Sequence, residues 1–190
     1  MKAFKKRPAT LDDLRGVPDT MIAELVDGEL MASPRPSTSH SNVAGGLTAE
    51  LRDPFQSGAG GPGGWWILYE PELHLAKDIL VPDFAGWRRE RLPQMPDAPF
   101  LEQPPDWVCE ILSPSTAGFD RVRKMPVYLR ERVEHVWLVD PAARTIEVFR
   151  LDGERWLLAG NYAGTGRVRI EPFEAHELDL SKLWLEGAPG

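Results

Sequence analysis

Apolar and polar positions along the chain alternate with two different periods, and the periods predict a mixture of strands and helices. Residues 10–16, Thr-Leu-Asp-Asp-Leu-Arg-Gly, predict a short helix with Thr10 as its cap, Asp13 three residues on, and Gly16 at its end. Residues 22–26 and 29–31 read as two strands around Asp27-Gly28, a strong turn dipeptide between apolar runs. Val43, Leu47 and Leu51 recur every four residues and predict a helix over 39–51. Gly45-Gly46 weakens that helix but permits close packing. Residues 65–75 and 79–87 predict strands joined at Lys77-Asp78, and residues 107–112 predict another. Residues 120–132 read as helical, 134–139 as a strand ended by Asp140-Pro141, and 145–151 as its hairpin partner, with a further strand at 155–158 after Asp152-Gly153. Residues 178–184 predict a short terminal helix. Pro93, Pro96, Pro99, Pro104 and Pro105 mark a long irregular loop, of a length usually functional or mobile. The glycine-rich residues 57–64 form a loop without the Lys-Ser/Thr ending that a phosphate-cradling loop needs.

The order α-β-β-α-β-β-β-α-β-β-β-α predicts an α/β fold, a mixed β-sheet flanked by helices. A chain of 190 residues suits one domain. Within it, residues 1–20 form an N-terminal extension with the short helix, 21–151 the core, and 152–190 a C-terminal hairpin and tail.

Two carboxylates interrupt the apolar pattern. Asp83 lies in Ile79-Leu80-Val81-Pro82-Asp83-Phe84, and Glu110 in Trp107-Val108-Cys109-Glu110-Ile111-Leu112. Strand alternation puts Glu110 on one face with Val108 and Leu112, and Asp83 on one face with Val81 and Ala85. Acidic side chains are almost never fully buried unless they are paired or bind a metal. Two on neighbouring strands make a divalent-cation site, and Mg²⁺ suits it as a hard cation that takes one or two carboxylates and keeps its waters. Salt bridges to arginines would satisfy each acid singly, and Pro82-Asp83 is also a common turn dipeptide. The presence of Lys124 shortly afterwards favours a site. Asp120, Lys124 and Tyr128, spaced i, i+4, i+8, fall in one line on a continuous helix. Pro126 would break a helix interior, so the alternative is a helix that begins near Lys124 with Pro126 in its first turn. Lys124 would then stand near an N-terminal end, where phosphate is favoured.

Net charge is −7, which counts against a general nucleic-acid coating protein but does not exclude a metal-dependent nuclease, whose acidic ligands add to the negative total. Arg88-Arg89-Glu90-Arg91 and the set Arg121, Arg123, Lys124, Arg130 and Arg132 read as solvated faces. The tryptophans fall mostly at strand positions and read as core. Trp87 and Trp107, which border the proline-rich loop, are the two to test for base stacking. The single cysteine, Cys109, rules out an intramolecular disulfide and a cysteine-rich zinc site, and points to a reducing, cytoplasmic setting. The basic start, Met1 to Pro8, has no apolar stretch behind it and is not a secretory signal. No apolar run approaches the ~20 residues that span a bilayer, so no membrane partner is expected. Ser113-Pro114-Ser115-Thr116 has no nucleophile elbow around it, and turn and capping roles suffice.

Taken together, Glu24-Leu25-Val26-Asp27-Gly28-Glu29-Leu30, His40, Pro82-Asp83, Glu110-Ile111-Leu112-Ser113-Pro114-Ser115-Thr116, Asp120-x-x-x-Lys124, Tyr128 and Val136-Trp137-Leu138-Val139-Asp140-Pro141 resemble the Uma2 family of bacterial proteins, in the PD-(D/E)xK nuclease superfamily. The resemblance runs from about residue 24 to residue 151. It implies a restriction-endonuclease-like core and a Mg²⁺-dependent DNA endonuclease, with Mn²⁺ as a substitute cation. Asp83 and Glu110 match the family's metal ligands. The motif's lysine should lie two residues after Glu110, where this chain has Leu112. Lys124, from the following helix, matches the replacement and would stabilise charge. The resemblance also brings Glu24 to the site as an additional acidic group, against the alternative of a strand-edge glutamate. His40 would contact substrate or the metal's surroundings, against the commoner capping or packing role. Analogy with restriction-type enzymes implies a homodimer. Asp83→Ala is expected to abolish cleavage and spare the fold, since the carboxylate reads as an unpaired charge. The vacancy at Leu112 and the acidic total keep a second reading in play: a catalytically silent nucleic-acid-binding or scaffold protein on the same core. A phosphodiesterase acting on RNA or nucleotides is a third.

Overall fold

The computed structural model describes residues 7–185; the basic residues 1–6 and the tail residues 186–190 lie outside it. Helix α1 (Leu11–Arg15) carries the expected capping box, with Thr10 accepting from the Asp13 amide and the Asp13 carboxylate accepting from the Thr10 amide. Strands β1 (Ile22–Val26) and β2 (Glu29–Ser33) form the hairpin around Asp27-Gly28, both at positive φ, as a tight hairpin turn requires.

Each of the next two expected strands divides in two. The 65–75 stretch gives β3 (Trp65–Tyr69) and β4 (Leu73–Leu75), and the 79–87 stretch gives β5 (Asp78–Leu80) and β6 (Phe84–Arg88). The breaks fall at Glu70-Pro71-Glu72, with Glu70 at positive φ, and at Val81-Pro82-Asp83. Proline in each break removes a ladder donor, and the chain uses the gap to pass between two sheets. One is an antiparallel four-stranded sheet in the order β2-β1-β5-β4. The other has six strands, β10-β9-β8-β7-β6-β3, completed by β7 (Trp107–Ile111), β8 (His135–Asp140), β9 (Thr145–Asp152) and β10 (Arg155–Ala163). Its one parallel pair is β7 with β8, and a helical crossover joins them: α3 (Ala117–Phe119), a π-helical turn (Asp120–Lys124) and α4 (Met125–Arg130). The expected terminal helix is a two-residue strand, β12 (Leu178–Asp179), paired with β11 (Arg167–Val168) and followed by a 3₁₀ turn at Leu180–Lys182.

The six-stranded sheet has an apolar layer on each face, so the fold is mixed α/β with helices on both sides. Helix α2 (Thr38–Leu51) lays Val43, Leu47 and Leu51 against Trp107, Cys109, Ile111, Trp137 and Phe173. On the opposite face, Val127 and Tyr128 of α4 and Leu73, Leu75 and Leu80 of the small sheet pack on Val108, Val136 and Leu138. The alternation read for residues 107–112 is thus the observed one: Trp107, Cys109 and Ile111 face α2, and Val108, Glu110 and Leu112 face α4. Trp87 and Trp107 are both fully buried, so neither presents a stacking surface. The proline-rich loop is anchored: buried Asp106 accepts from the Arg88 amide at 2.7 Å and pairs with Arg91 at 2.5 Å, and the Trp87 indole donates to the Gln103 carbonyl.

The two glycines of α2 differ. A Cβ on Gly46 would stand 2.7 Å from the Lys182 carbonyl oxygen and 2.9 Å from Leu183, whereas one on Gly45 meets nothing. Gly46 is therefore where the helix meets the C-terminal turn. Gly45→Ala should stabilise by about 0.5–1 kcal/mol through helix propensity and chain entropy, and Gly46→Ala should destabilise by about 1–3 kcal/mol through overpacking. Thermal melting of the two variants checks this opposition of sign.

Candidate active site

The site forms where the chain crosses from the small sheet to the large one. Glu24 lies on β1, a central strand of its sheet, and accepts from the Val81 amide at 2.8 Å, which fixes the start of the break. Asp83 is therefore not inside a strand, as the apolar run implied, but at the last position before β6. There its Oδ2 accepts from the Ile111 amide on β7 at 2.6 Å, and its Oδ1 faces Nε2 of His40 at 2.9 Å. His40 is delivered by the first turn of α2, whose Ser37 cap accepts from the His40 amide. The expectation that Asp83 is an unpaired charge whose removal spares the fold is thus overturned: truncation to alanine would orphan a backbone amide and a buried histidine.

Glu110 projects from β7 toward the crossover. Tyr128 donates its hydroxyl to Oε1 at 2.5 Å, and Lys124 Nζ lies 3.2 Å from Oε2. Lys124 also lies 2.9 Å from Glu24 and 3.2 Å from Asp120. The i, i+4, i+8 line is therefore realised, although the turn that carries it is π-helical, a form often found at functional positions. Pro126 sits in the first turn of α4, directly after the π-helical turn. Helix runs continuously from α3 into α4, and the amide of Met125 bonds back to Asp120. Lys124 therefore stands at a helix junction and not at a free N-terminal end.

Glu24, Glu110, Asp120 and Lys124 are all under 5 % exposed. Burial pushes Glu110 well above the ordinary carboxylate range and raises Glu24 and Asp120, while Lys124 pulls each of them back. Burial also opposes the charge on Lys124, but Glu110, Glu24 and Asp120 together hold its ammonium well above the usual lysine range. At His40, burial is likewise outweighed, by the hydrogen bond and charge of Asp83, and its pKa is raised. The result is a carboxylate-rich, desolvated constellation with one internal ammonium, opening on a pocket of about 260 Å³ lined by Asp83, Glu110, Asp120, Ser113 and Arg35 among others.

The structure brings Asp83, Glu110, Lys124 and Glu24 into one pocket and adds Asp120 and His40 to its lining, with Tyr128 buried behind Glu110. Glu29 is left out; it is exposed on β2 and pairs with Arg123. The basic patches are tied down by acids: Arg88 by Glu134, Arg91 by Asp106, Arg121 by Glu147 and Arg130 by Asp78. Ser113 and Thr116 make a local turn through their hydroxyls, as expected of that segment. Among the described residues, no three His, Cys, Asp or Glu side chains form a ready cluster around a cation position. Lys124 stands among the acids instead. Nor is any helix of the described residues long and apolar enough to cross a membrane.

A large mixed sheet between helices is a fold found in a solved structure described as "a putative nuclease belonging to DUF820" from Anabaena variabilis ATCC 29413. The two superpose with a TM-score of 0.73 over 93 % of this chain and 97 % of that one, at 21 % identity, and share a fold. The chain belongs to the Uma2 family: the family model, described as "Putative restriction endonuclease", matches residues 8–181. No curated protein matches the chain.

Proposed function

We propose that this protein is a Mg²⁺-dependent endonuclease that hydrolyses phosphodiester bonds of DNA. Membership of the Uma2 family supports the nuclease class. The observation that carries the residue assignment is the meeting of Asp83, at the last position before β6, and Glu110, on the neighbouring β7, with Lys124 in one pocket. The donor set fits a hard cation. Each carboxylate offers about four lone-pair sites, and the partners of Asp83 and Glu110 leave some of them free. When bound there, Mg²⁺ would supply a water that loses its proton more easily and would neutralise charge on the phosphoryl group. Asp83 and Glu110 hold the cation, with Mn²⁺ an adequate substitute. His40 and the Ile111 amide orient Asp83, while Glu24 and Asp120 hold the Lys124 ammonium where charge develops on the phosphoryl oxygens. Purified protein should nick supercoiled plasmid in Mg²⁺ or Mn²⁺ and be silent in EDTA. Nicking that persists in EDTA would overturn the metal assignment.

One observation favours a second reading, a catalytically silent binding or scaffold protein: Lys124 is engaged by three acids, and Leu112 stands where the superfamily motif places its lysine. Melting with and without Mg²⁺ separates the two. A cation site stabilises by about 2.7 kcal/mol at a hundred times its dissociation constant; no shift at millimolar metal would favour the scaffold.

A further inference from the structure

A pocket this acidic must still accept a polyanion, and among the described residues its lining contains three basic side chains, Arg35, His40 and Lys124. Two of them are engaged. His40 faces Asp83 at 2.9 Å, and Lys124 is shared among Glu24, Glu110 and Asp120. Arg35 is exposed at the mouth, and it makes no hydrogen bond or ion pair with any described residue. That freedom is uncommon here, because acids hold Arg88, Arg91, Arg121, Arg123 and Arg130 of the two basic patches, and backbone carbonyls hold Arg89 and Arg132.

The loop that carries Arg35 is held at both ends. β2 closes at Ser33, and Ser37 caps α2 through the amide of His40, which itself contacts Asp83. Pro34 and Pro36 flank Arg35 and restrict the backbone on either side of it. A guanidinium with five unsatisfied donors, on a restrained loop beside the carboxylates, matches the planar, bidentate geometry of a phosphodiester.

We propose that Arg35 is a substrate-binding residue that grips a backbone phosphate of DNA at the mouth of the pocket. This rests on the nuclease reading of the pocket. Arg35 offsets the repulsion between the acids and the incoming strand, and it engages the phosphate before the reacting group reaches Lys124.

The test is binding of a fluorescent DNA duplex by anisotropy, at several salt concentrations with Ca²⁺ as the cation, beside plasmid nicking in Mg²⁺. Arg35→Ala should weaken binding about tenfold and lower the salt slope by about one, with melting unchanged. Arg35→Lys should keep the slope and lose less affinity. Arg52→Ala removes another described cation that has no partner and does not line the pocket, and it should bind as the parent does. Parent-like binding by Arg35→Ala, or an equal loss in Arg52→Ala, would overturn the proposal. If the parent nicks plasmid and Arg35→Ala binds and nicks equally well, the Arg35 assignment falls and the nuclease reading stands. If Arg35→Ala loses binding but neither it nor the parent nicks in any metal, the nuclease reading falls, and Arg35 stands only as a DNA-binding residue of a silent protein. A parent that binds no DNA overturns both.

Discussion

Lys124→Met should destabilise the protein by about 3–5 kcal/mol, because it leaves three buried carboxyls without their cation. In a chain of this size that lowers Tm by roughly 6–20 °C. The loss should depend on pH in a defined direction. Burial already raises Glu24, Glu110 and Asp120 above the ordinary carboxylate range, and removal of Lys124 takes away the charge that pulls them down. A group whose folded pKa is raised favours the folded state below its unfolded pKa, and that contribution is lost as pH rises through the folded value. The deficit of Lys124→Met is therefore largest at neutral pH and shrinks as pH falls toward the ordinary carboxylate range, where the three acids take up protons. Melts in EDTA at neutral and acid pH measure this. Parent-like stability at neutral pH would show that the lysine is not the internal counter-ion of the site.

Asp83→Asn and Glu110→Gln should each reduce DNA cleavage by about a thousandfold or more, since each removes an anionic donor from the proposed cation site. The amides are the informative substitutions. The side-chain amide introduced by Asp83→Asn keeps an oxygen able to accept from the Ile111 amide, so the strand end stays anchored at a cost of about 1 kcal/mol. Alanine at either position would mix lost chemistry with lost structure. At Glu110 the tyrosine hydroxyl would lose its acceptor and the ammonium one of its three acidic partners. The two amide variants should also lose the Mg²⁺-dependent rise in melting temperature. Retention of that rise with loss of cleavage would move the cation elsewhere in the pocket.

How much of this was legible in the chain depended on the range of the interaction involved. The capping box at Thr10 and Asp13, the Asp27-Gly28 turn and the four-residue spacing of α2 are local, and all three were realised. The face occupied by Glu110 followed from strand alternation alone. The division of 65–75 and 79–87 between two sheets was not legible, because an apolar run reads the same whether one sheet or two receive it. The prolines at 71 and 82 were the available signal. The sequence singled out Asp83, Glu110 and Lys124, which line one pocket, but not the reason they hold together. Glu24 reaches Lys124, and His40 reaches Asp83, only because the small sheet and α2 converge on the end of β6. Arg35 carried no periodic or motif signal. Its interest comes from lacking a partner, and that can be seen only when every neighbour is placed.

The central claim is that the Asp83–Glu110–Lys124 pocket cuts DNA with a bound cation. The most direct measurement is nicking of supercoiled plasmid in Mg²⁺ by the parent and by Asp83→Asn, side by side, with both shown to be folded by circular dichroism. Nicking by the parent that is abolished by EDTA and lost in Asp83→Asn is the predicted result. Equal nicking by the two folded proteins would contradict it.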